Sequence, residues 1–388
     1  MDTIDLILQQ LRALATQADD VGRHRLLDGL RDIQSSLETP HDTLSHFSGL
    51  HLKIAAARIG EDLKLFEILA ERRQSWSVGD LAAKTNAAPL FLGRLLRYLA
   101  SVNLIKESGE DTFTANGQTH TLAQPGYRGG IYHFFDNCGP VFQALPAFLA
   151  GNKYQDITDA TKTAFQTAFP TDLPAFQWLP TQPERFGPLQ QVMMVQGAAA
   201  VPWFSVFPFE KELSDFAGRH VFVDIGGGFG HQCVALKQAY PQLKDKIVLQ
   251  DLPQTLEHLP PPFVAQLDGI EKLAHNFFEP QPIKEAKFYY LRNVLHDWPD
   301  ETCIEILSQI SIALGSESQI LIDEMVLPNV GVTWEATTID LTMMSSLGSR
   351  ERTLKEWRAL LDSAGLKIQR IDTYTPRRHD SIIQVARK

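Results

Sequence analysis

The chain has 388 residues, 44% of them hydrophobic and 21% charged, which is enough for two or three domains with cores of their own. Lys and Arg number 36 against 46 Asp and Glu, so the formal net charge is −10 at pH 7. Because an acidic surface repels phosphate backbones, the composition argues against nucleic acid as a general partner.

The sequence predicts neither a membrane span nor a signal peptide. No run approaches the ~20 consecutive apolar residues of a membrane span, and Asp2 and Asp5 stand where a signal peptide needs basic residues. The three cysteines (Cys138, Cys233 and Cys303) form no closely spaced pair, which excludes a disulfide framework and a cysteine-based zinc site. We therefore expect a cytoplasmic protein with no membrane contact and no bound metal.

Residues 1–118 are predicted to form a mainly helical N-terminal domain, and its first helix is amphipathic. The apolar residues of this helix recur at helical spacing and form one stripe: Ile4, Ile7, Leu8, Leu11 and Leu14. Such a stripe has to be covered by other apolar surface. A partner subunit and the remainder of the same chain both stay open as the covering surface.

The second half of this domain has the pattern of a winged helix. Three helices are predicted, the second capped by Ser77 and the third with Pro89 in its first turn, and a hairpin around Gly109 follows. Winged helices often bind DNA, but the third helix here carries only two basic residues, Arg94 and Arg97. Since a fold does not fix a function, we favour a dimerisation domain over a DNA-binding domain.

Two further regions follow along the chain. Residues 119–205 are rich in aromatic residues, glycine and proline, and we expect a helical linker that forms a lid over a ligand site. In residues 206–388 apolar strands alternate with helices, which predicts an α/β domain with a parallel sheet. The predicted strands are VFVDIG, KIVLQDL, KFYYLRNVL and QILIDEMVL, and later GLKIQRIDTYT and DSIIQVARK.

The most specific local motif is VFVDIGGGFGHQ. A buried strand ends in Asp224, and Gly226, Gly228 and Gly230 follow at alternate positions before a helix. Glycine lets the backbone turn sharply and approach a ligand, and the first N–H groups of the helix are free to bind that ligand. The next strand ends in Asp251, where a carboxylate can accept hydrogen bonds from ribose hydroxyls. The combination predicts a nucleoside-containing ligand.

A second set of polar residues lies in KFYYLRNVLHDWPDE. Arg292, His296 and Asp297 follow a strand of the predicted sheet, at the carboxyl edge where such folds bind ligands. His296 is a candidate general base because the pKa of imidazole is near neutrality, although an isolated histidine also occurs as a surface or capping residue. Glu324 and Glu351 are the acids that would flank it and fix its tautomer.

These motifs, in this order, resemble those of the plant and fungal class of S-adenosylmethionine-dependent O-methyltransferases. The resemblance is carried by VDIGGGFGHQ, LQDLP, LRNVLHDWPDE and GSRERTLKEW, and the winged-helix pattern extends it over nearly the whole chain. It implies the α/β fold class, with a C-terminal Rossmann-like class I methyltransferase domain and an N-terminal winged-helix dimerisation domain. It also implies S-adenosylmethionine (SAM) as the cofactor and a homodimer as the assembly.

The candidate cofactor-binding residues lie in or beside these motifs: Asp224, Gly226, Gly228, Asp251, Leu252, Asn276, Phe277 and Arg292. The resemblance implies that Asn276 and Phe277 lie near the adenine, where the family usually has an Asp-Met or Asp-Phe pair, so Asn276 is a departure from the family pattern. The resemblance further implies that His296 takes a proton from a substrate hydroxyl, with Glu324 and Glu351 orienting its ring.

Several stretches are similar to a fungal offshoot of the family, the SAM-dependent pericyclases of 2-pyridone alkaloid pathways. They include SLETPHDT, GRLLRYLASV, ALPAFLAGNKYQDITDA and LGSRERT. In such enzymes the positive sulfonium of the bound cofactor stabilises developing negative charge, and no methyl group need move. The resemblance implies that His133 acts at the substrate. The Arg-Asp pair of the leporin-pathway type is His296 and Asp297 here, so the acid is kept and the arginine is lost.

Three functions remain open, and we favour the first. A pericyclase would bind SAM and dehydrate or cyclise, in a Diels–Alder type reaction, a polyketide–nonribosomal peptide intermediate of the 2-pyridone or tetramic acid type, with His133 as a general acid. An O-methyltransferase would deprotonate a phenol or enol with His296. A non-catalytic regulator would have kept only the fold, which the filled catalytic positions argue against. The candidate catalytic residues are His133, His296, Asp297, Glu324 and Glu351.

Overall fold

The computed structural model describes residues 2–196, 201–213, 216–259 and 261–388. The chain divides into two compact units, an N-terminal unit (Met1–Thr121) and a C-terminal unit (Leu122–Lys388). Among the described residues, no helix has both the length and the apolar composition that crossing a membrane requires. The predicted fold class is confirmed, because a helical unit precedes an α/β unit.

The N-terminal unit is mainly helical and contains a small antiparallel sheet. Its helices are α1 (Thr3–Gln17), α2 (Asp20–Leu37), α3 (Pro40–Asp62), α4 (Leu65–Ala70), α5 (Val78–Thr85), α6 (Pro89–Ser101) and, at the boundary, α7 (Gly117–Leu122). Its strands are β1 (Trp76–Ser77), β2 (Lys106–Gly109) and β3 (Thr112–Thr114), in the spatial order β1-β3-β2. The predicted winged-helix pattern is therefore present, whereas α2 was not predicted.

Local sequence signals set the starts of two of these helices. Ser77 precedes α5; its Oγ accepts the N–H of Asp80 at 3.0 Å, and the Asp80 carboxylate accepts the N–H of Ser77 at 3.3 Å. This reciprocal capping box satisfies N–H groups that otherwise lack partners at a helix start. Pro89 occupies the first turn of α6, where its missing N–H leaves no hydrogen bond unmade. Both predicted helix starts are confirmed.

The C-terminal unit begins with a mainly helical segment. It contains α8 (Pro125–Tyr132), a π-helix (His133–Cys138), α9 (Gly139–Gly151), α10 (Ala164–Ala168), α11 (Ala175–Trp178), α12 (Pro183–Gln196) and α13 (Phe209–Leu213). Two stretches predicted to be helical, GPVFQALPAFLAG and PERFGPLQQVMMVQGAAA, correspond to α9 and α12. The end of the second stretch, 197–200, lies outside the described residues. The π-helix was not predicted.

The rest of this unit is built around a sheet that has eight strands among the described residues. The strands are β4 (Phe222–Ile225), β5 (Ile247–Asp251), β6 (Glu271–Ala274), β7 (Phe288–Arg292), β8 (Gln319–Leu327), β9 (Arg352–Thr353), β10 (Leu366–Thr375) and β11 (Asp380–Arg387). The helices between them in the chain are α14 (His231–Ala239), α15 (Pro253–Glu257), α16 (Pro261–Gln266), α17 (Asp300–Ser311), α18 (Trp334–Leu347) and α19 (Leu354–Ser363). The spatial order is β10-β11-β8-β7-β4-β5-β6, with β9 paired to β8.

The sheet is mixed rather than wholly parallel. Strands β4, β5, β7 and β8 run parallel to one another, as predicted, and β6, which was not predicted, is parallel to β5. Strand β11 is antiparallel to both of its neighbours, β10 and β8. The physical reason is the short connection between Thr375 and Asp380. A parallel crossover needs a long connection, so a tight turn joins only antiparallel strands.

Successive residues of the central strands pack on opposite faces of the sheet. Phe222 of β4 and Leu321 of β8 belong to one apolar core, while Val223 of β4 and Ile322 of β8 belong to the other. Within the sheet, β4 lies between β5 and β7. The chain that leaves β4 first forms β5 along one edge of β4 and later forms β7 along the opposite edge. Open α/β sheets bind ligands at the carboxyl ends of the strands where the order reverses in this way. The topology therefore places a ligand site beyond β4 and β7.

Replacing Leu321 by alanine tests the assignment of the core. Leu321 is 0% exposed, so we expect Leu321→Ala to leave a cavity and to lower the free energy of unfolding of the C-terminal unit by ~2–5 kcal/mol. The matched control is Leu341→Ala on α18, where the side chain is 53% exposed and a change within ~0.5 kcal/mol is expected. Urea unfolding followed by tryptophan fluorescence measures both variants. Equal losses would contradict the assigned core.

Candidate functional site

The turn that follows β4 is shaped by glycine. Gly226 and Gly228 have φ angles of 67° and 58°, in the left-handed region that other residues rarely adopt. A Cβ on Gly226 would lie 3.1 Å from Cγ2 of Val294, whereas a Cβ on Gly228 would meet no neighbouring atom. Helix α14 begins directly after Gly230, so its first unpaired N–H groups adjoin the turn. The predicted glycine turn is present, and its backbone is open to a ligand at Gly228.

Asp251, at the end of β5, is hydrogen-bonded to this turn. Its Oδ2 accepts the N–H of Gly228 and its Oδ1 accepts the N–H of Leu252, both at 2.8 Å. Each carboxylate oxygen has a further lone pair, so Asp251 can hold the turn and still accept hydrogen bonds from ribose hydroxyls. Leu252 is exposed beside it and offers apolar surface.

Asn276 and Phe277 follow β6. Oδ1 of Asn276 accepts the N–H of Phe278 at 3.2 Å, so this amide shapes its own turn. The ring of Phe277 lies beside the glycine turn, since a Cβ on Gly226 would come within 3.7 Å of it. The structure therefore brings Phe277 to the predicted cofactor site, whereas contact of Asn276 with the adenine stays a prediction.

Two other predicted cofactor-binding residues, Asp224 and Arg292, have partners inside the protein. The buried carboxylate of Asp224 accepts a hydrogen bond from Sγ of Cys233 at 3.3 Å, and burial raises the pKa of Asp224 to about 7. Nη1 of Arg292 lies 3.4 Å from Oδ2 of the buried Asp323. Both residues support the end of the sheet from within, and their contact with a cofactor stays a prediction.

The residues around the glycine turn fit SAM, the cofactor that the sequence implies. The backbone at Gly228 leaves space for a ligand, and the Asp251 carboxylate has acceptors for ribose hydroxyls. The ring of Phe277 beside Gly226 provides an apolar face of the kind on which an adenine packs. A side chain at Gly226 would fill the space against Val294, which is a reason for glycine there.

Three carboxylates converge on His296, which lies in a short 3-10 helix (Leu295–Asp297) after β7. Nδ1 of His296 is 2.7 Å from Oε1 of Glu351, and its Nε2 is 3.4 Å from Oδ1 of Asp297. His296, Glu324 and Glu351 each offer one nitrogen or oxygen atom within 4.8 Å of the others. We call His296, Asp297, Glu324 and Glu351 the His296 cluster.

Glu324, on β8, holds the backbone next to His296. Its Oε1 accepts the N–H groups of Val294 and Leu295, both at 2.9 Å. One carboxylate oxygen thus accepts from two successive backbone N–H groups, which fixes the backbone of this turn. The other oxygen, Oε2, is buried and has no hydrogen-bond partner among the described residues. Glu324 therefore keeps one oxygen for a proton or a ligand.

Two residues that were not predicted support the His296 cluster. The N–H of Glu351 donates to Oδ1 of Asp340 at 2.9 Å, and Oγ of Ser349 donates to the carbonyl of His296 at 2.5 Å. Ser349 lies in the LGSRERT motif, which the sequence analysis interpreted only through Glu351 and the family resemblance. Asp340, on α18, lies in none of the motifs, so the sequence contains no signal for its role.

The charges of the cluster favour a protonated His296. Burial would lower the pKa of the ring, but the negative charges of Asp297, Glu324 and Glu351 outweigh it and raise this pKa to about 10. Burial also raises the pKa of Glu324 to about 7 and that of Asp297 to about 6. At neutral pH the ring is therefore an imidazolium with a donor on each nitrogen, and it becomes a base only after it loses a proton.

His133, the remaining predicted catalytic residue, lies on the π-helix in a second cluster. Its Nδ1 is 3.0 Å from Nδ2 of Asn137, and its Nε2 is 3.4 Å from Sγ of Cys138. Burial lowers the pKa of the ring to about 4, so His133 is neutral at neutral pH. A general acid needs an imidazolium, which burial disfavours here. Asn137 was not predicted, although it stands four residues after His133, a spacing that brings side chains together on a helix.

Two domain families match the chain. The O-methyltransferase dimerisation domain matches residues 45–124, and the O-methyltransferase domain matches residues 209–367. The chain belongs to the O-methyltransferase family. Both the glycine turn and the His296 cluster lie within the matched O-methyltransferase domain, and the family resemblance stated from the motifs is confirmed.

Relatives of this O-methyltransferase family member match almost its whole length. It is 41% identical over 387 residues to demethylsterigmatocystin 6-O-methyltransferase of Aspergillus flavus, covering 99% of this chain and 98% of the relative. It is 42% identical over 378 residues to O-methyltransferase lepI of Aspergillus flavus, covering 97% of each. The structure of LepI with SAM, and a structure described as a pericyclic reaction enzyme, each give a TM-score of 0.94 at 40% identity, over 100% of this chain and 99% of theirs.

The rings of His296 and His133 are expected to titrate far apart. We expect His296 to lose its proton only towards about pH 10 and His133 to stay neutral down to about pH 4. Because folded His296 holds its proton more tightly than an unfolded histidine of pKa 6.5, its charge stabilises the fold below pH 6.5, and this contribution is lost as the pH rises to about 10.

Ring-nitrogen NMR shifts of histidine-labelled protein measure both titrations, with His296→Gln and His133→Gln variants for assignment. If both rings titrated together near the ordinary histidine pKa, the electrostatic account of the two clusters would be wrong.

Proposed function

We propose that the chain is a SAM-binding pericyclase that dehydrates or cyclises, by a Diels–Alder type reaction, a polyketide–nonribosomal peptide intermediate of the 2-pyridone or tetramic acid type. The observation that carries the proposal is the likeness over 100% of the chain to the structure described as a pericyclic reaction enzyme, at a TM-score of 0.94. A structure of LepI with S-adenosylhomocysteine and a substrate analogue, at a TM-score of 0.93, supports a small-molecule substrate.

The prediction of SAM as the cofactor is confirmed by the family and by the LepI complex. When bound, the cofactor supplies a sulfonium cation and, in a methyltransferase, a methyl group. In the proposed site, Gly226 and Gly228 let the backbone approach it, Asp251 accepts from its ribose hydroxyls, and Phe277 packs on its adenine. Each role follows from the open turn, the free lone pairs and the ring position described above.

The protonated ring of His296 supports the pericyclase proposal. The resemblance to pericyclases of the leporin-pathway type pairs His296 and Asp297 with an arginine and an aspartate. Histidine in place of that arginine loses a permanent cation. The carboxylates of the His296 cluster restore a positive charge here, because they hold the proton on the ring. A buried imidazolium donates charge-assisted hydrogen bonds to a substrate oxygen, and these stabilise negative charge that develops there during the reaction.

Helices α8 to α12, with the π-helix between α8 and α9, act as the lid of the proposed site. One apolar core joins this segment to α18, with Phe165 and Leu347 among its buried members. Helix α18 leads directly into the loop that carries Glu351. The segment that contains His133 is therefore packed against the element that positions part of the His296 cluster, which supports closure over a bulky apolar substrate.

An O-methyltransferase is the second candidate, and the 2.7 Å contact between Nδ1 of His296 and Glu351 favours it. A carboxylate at Nδ1 keeps a proton on that nitrogen, so the neutral ring has its lone pair on Nε2 and takes a proton there from a phenol or enol. The 41% identity to demethylsterigmatocystin 6-O-methyltransferase supports the same activity. For this function, His296 first has to release the proton that its carboxylates hold.

The N-terminal helices support a homodimer. Helices α1 and α2 have no buried residue within the chain, and their exposed apolar side chains include Ile4, Leu30, Ile33 and Leu37. Proteins in water rarely leave such stripes uncovered. The match of residues 45–124 to a dimerisation domain supports the same conclusion. In the proposed assembly a second copy of the chain covers this surface.

A charge placed in the exposed apolar stripe is expected to separate the two copies. Ile33 is 53% exposed in the single chain, and Ile33→Asp would put an unpaired carboxylate in the proposed interface, which is costly to bury. Ser35→Asp on the same helix is the matched control and should leave the dimer intact. Size-exclusion chromatography with light scattering gives the mass of each. A monomer for the unmodified protein would contradict the homodimer.

The product and the fate of the cofactor distinguish the two catalytic functions. Purified protein is incubated with SAM and the alcohol form of a tetramic acid or 2-pyridone polyketide, and mass spectrometry follows substrate and cofactor. A pericyclase is expected to give an isomer, or a product lighter by one water, with SAM required but not consumed. A product heavier by one methylene unit, with an equal amount of S-adenosylhomocysteine, would contradict the pericyclase and establish the methyltransferase.

The variant His296→Arg separates the same two functions by a different property. Arginine keeps a cation and its donors but does not accept a proton, so cyclisation is expected to persist within ~10-fold. Methyl transfer would fall by ~10²–10⁴-fold, because the base is lost. His296→Ala removes both properties and should impair either reaction. His258→Ala, at an exposed histidine, is the control and should change neither.

A further inference from the structure

We propose that Asn137 is a positioning residue that holds His133 in the tautomer with its proton on Nε2, so that His133 binds the substrate as a neutral hydrogen-bond donor. This inference rests on the proposed function and on the resemblance to the pericyclases, which implies that His133 acts at the substrate. It differs from the general-acid role assigned from the sequence, because no proton leaves the ring. Four residues carry the argument, and we call them the His133 cluster: His133, Asn137, Cys138 and Arg185.

The first step is the orientation of the Asn137 amide. Nδ2 of Asn137 donates to the backbone carbonyl of Arg185 at 3.0 Å. Oδ1 of Asn137 accepts from Nη1 of Arg185 at 3.4 Å. A carbonyl oxygen only accepts hydrogen bonds and a guanidinium only donates them. The amide therefore has a single orientation, since a flipped amide would oppose both partners.

The second step is the tautomer of His133. The amide nitrogen of Asn137 also lies 3.0 Å from Nδ1 of His133. This NH₂ group has two protons, one for the Arg185 carbonyl and one for the ring, and it has no lone pair to offer. Nδ1 of His133 must therefore accept, which leaves the proton of the neutral ring on Nε2. The same contact disfavours the imidazolium, because a protonated Nδ1 would face a donor.

The third step is the partner of Nε2. The Nε2–H group faces Sγ of Cys138 at 3.4 Å. Burial raises the pKa of the Cys138 thiol to about 12, so the sulfur is a neutral thiol and a weak acceptor. The half-buried Nε2–H therefore has only a weak hydrogen bond in the free protein, and it would form a stronger one with an oxygen acceptor. A carbonyl or hydroxyl oxygen of a substrate supplies one, and a hydrogen bond there stabilises negative charge that develops on that oxygen.

The backbone explains why this arrangement is held in place. His133 and Cys138 are the two ends of the π-helix, a local irregularity that often occurs at functional sites. Arg185, on α12, also donates to the carbonyl of Asp136, and its guanidinium lies 4.8 Å from the centre of the Phe169 ring. The Arg185 side chain therefore binds two groups of the π-helix, the backbone carbonyl of Asp136 and the side-chain amide of Asn137, and holds both in place.

Charged and titratable groups near the ring lie on α12 and on the π-helix. Arg185, on α12, directs its guanidinium at the Asn137 amide oxygen and at the carbonyl of Asp136. Asp136 and Cys138 belong to the π-helix itself: the backbone carbonyl of Asp136 accepts from Arg185, and Cys138 is a neutral thiol. Burial accounts for the lowered pKa of His133. The neutral Nε2–H ring thus persists throughout the neutral pH range.

The variant Asn137→Asp tests the tautomer by reversing the hydrogen bond. A carboxylate accepts from Nδ1–H, so the neutral ring would carry its proton on Nδ1 and present a bare Nε2 to the substrate. We expect conversion of the tetramic acid or 2-pyridone alcohol, with SAM present, to fall ~10²-fold at alkaline pH, the loss typical of one removed donor. Activity should return as the pH falls, because the imidazolium has protons on both nitrogens. The quantity to compare is the ratio of the variant's rate to that of the unmodified enzyme at each pH, because the titrations of Glu324 and His296 are common to both proteins.

Ring-nitrogen NMR of the unmodified protein, without substrate, reads the tautomer directly. A proton on Nε2 of His133 supports the inference, and a proton on Nδ1 or an imidazolium near neutral pH would overturn it. This readout stands even if Asn137→Asp fails to fold, and it is independent of turnover. A lack of turnover by the unmodified enzyme would instead contradict the proposed function.

Matched variants separate positioning from a general loss of structure. Asn329→Asp makes the same chemical change at an exposed position and should leave rate and pH profile unchanged. His133→Gln keeps a neutral N–H donor and should retain more activity than His133→Leu, which has none. If Asn137→Asp kept both the rate and the pH profile of the unmodified enzyme, Asn137 would have no positioning role.

Discussion

The candidate site depends on one constraint, which is that a buried cation needs carboxylates around it. His296 follows β7, Glu324 lies on the neighbouring β8, and Glu351 directly precedes β9, which pairs with β8. Removing an imidazolium from water is costly unless opposite charges lie close to it. The order of the strands brings those charges to one edge of the sheet. The fold and the protonation state of the site are therefore set by the same arrangement.

The position of one proton separates the two chemistries that this arrangement supports. In the proposed pericyclase His296, with a proton on each nitrogen, donates to a substrate oxygen; in the methyltransferase candidate the ring has one proton and accepts from that oxygen. Glu324 has a pKa of about 7, so its own charge changes near neutral pH and alters the field at the ring. A change in the surroundings of one carboxyl group can thus shift the balance between the two reactions without replacing the histidine.

The ends of strands were predictable from the sequence, whereas networks between distant side chains were not. The glycine turn, Asp251 and the place of His296 follow from residue types at successive strand ends, because parallel strands end at one edge. The antiparallel direction of β11 was missed, since an apolar strand pattern is compatible with either direction. The contacts between Asn137 and Arg185 join two helices that are far apart in the chain. They depend on the packing of α12 on the π-helix, which no local motif encodes.

The place of β11 in the sheet also sets an order for folding. This strand follows the others in the chain, yet it lies between β10 and β8. During synthesis, β8 therefore presents an open edge until β11 has left the ribosome, and open edges are templates for pairing with other chains. Partly folded chains with unpaired strand edges of this kind are prone to aggregation. Because β8 carries Glu324, the edge that stays open until β11 pairs belongs to the strand that supplies one of the carboxylates around His296.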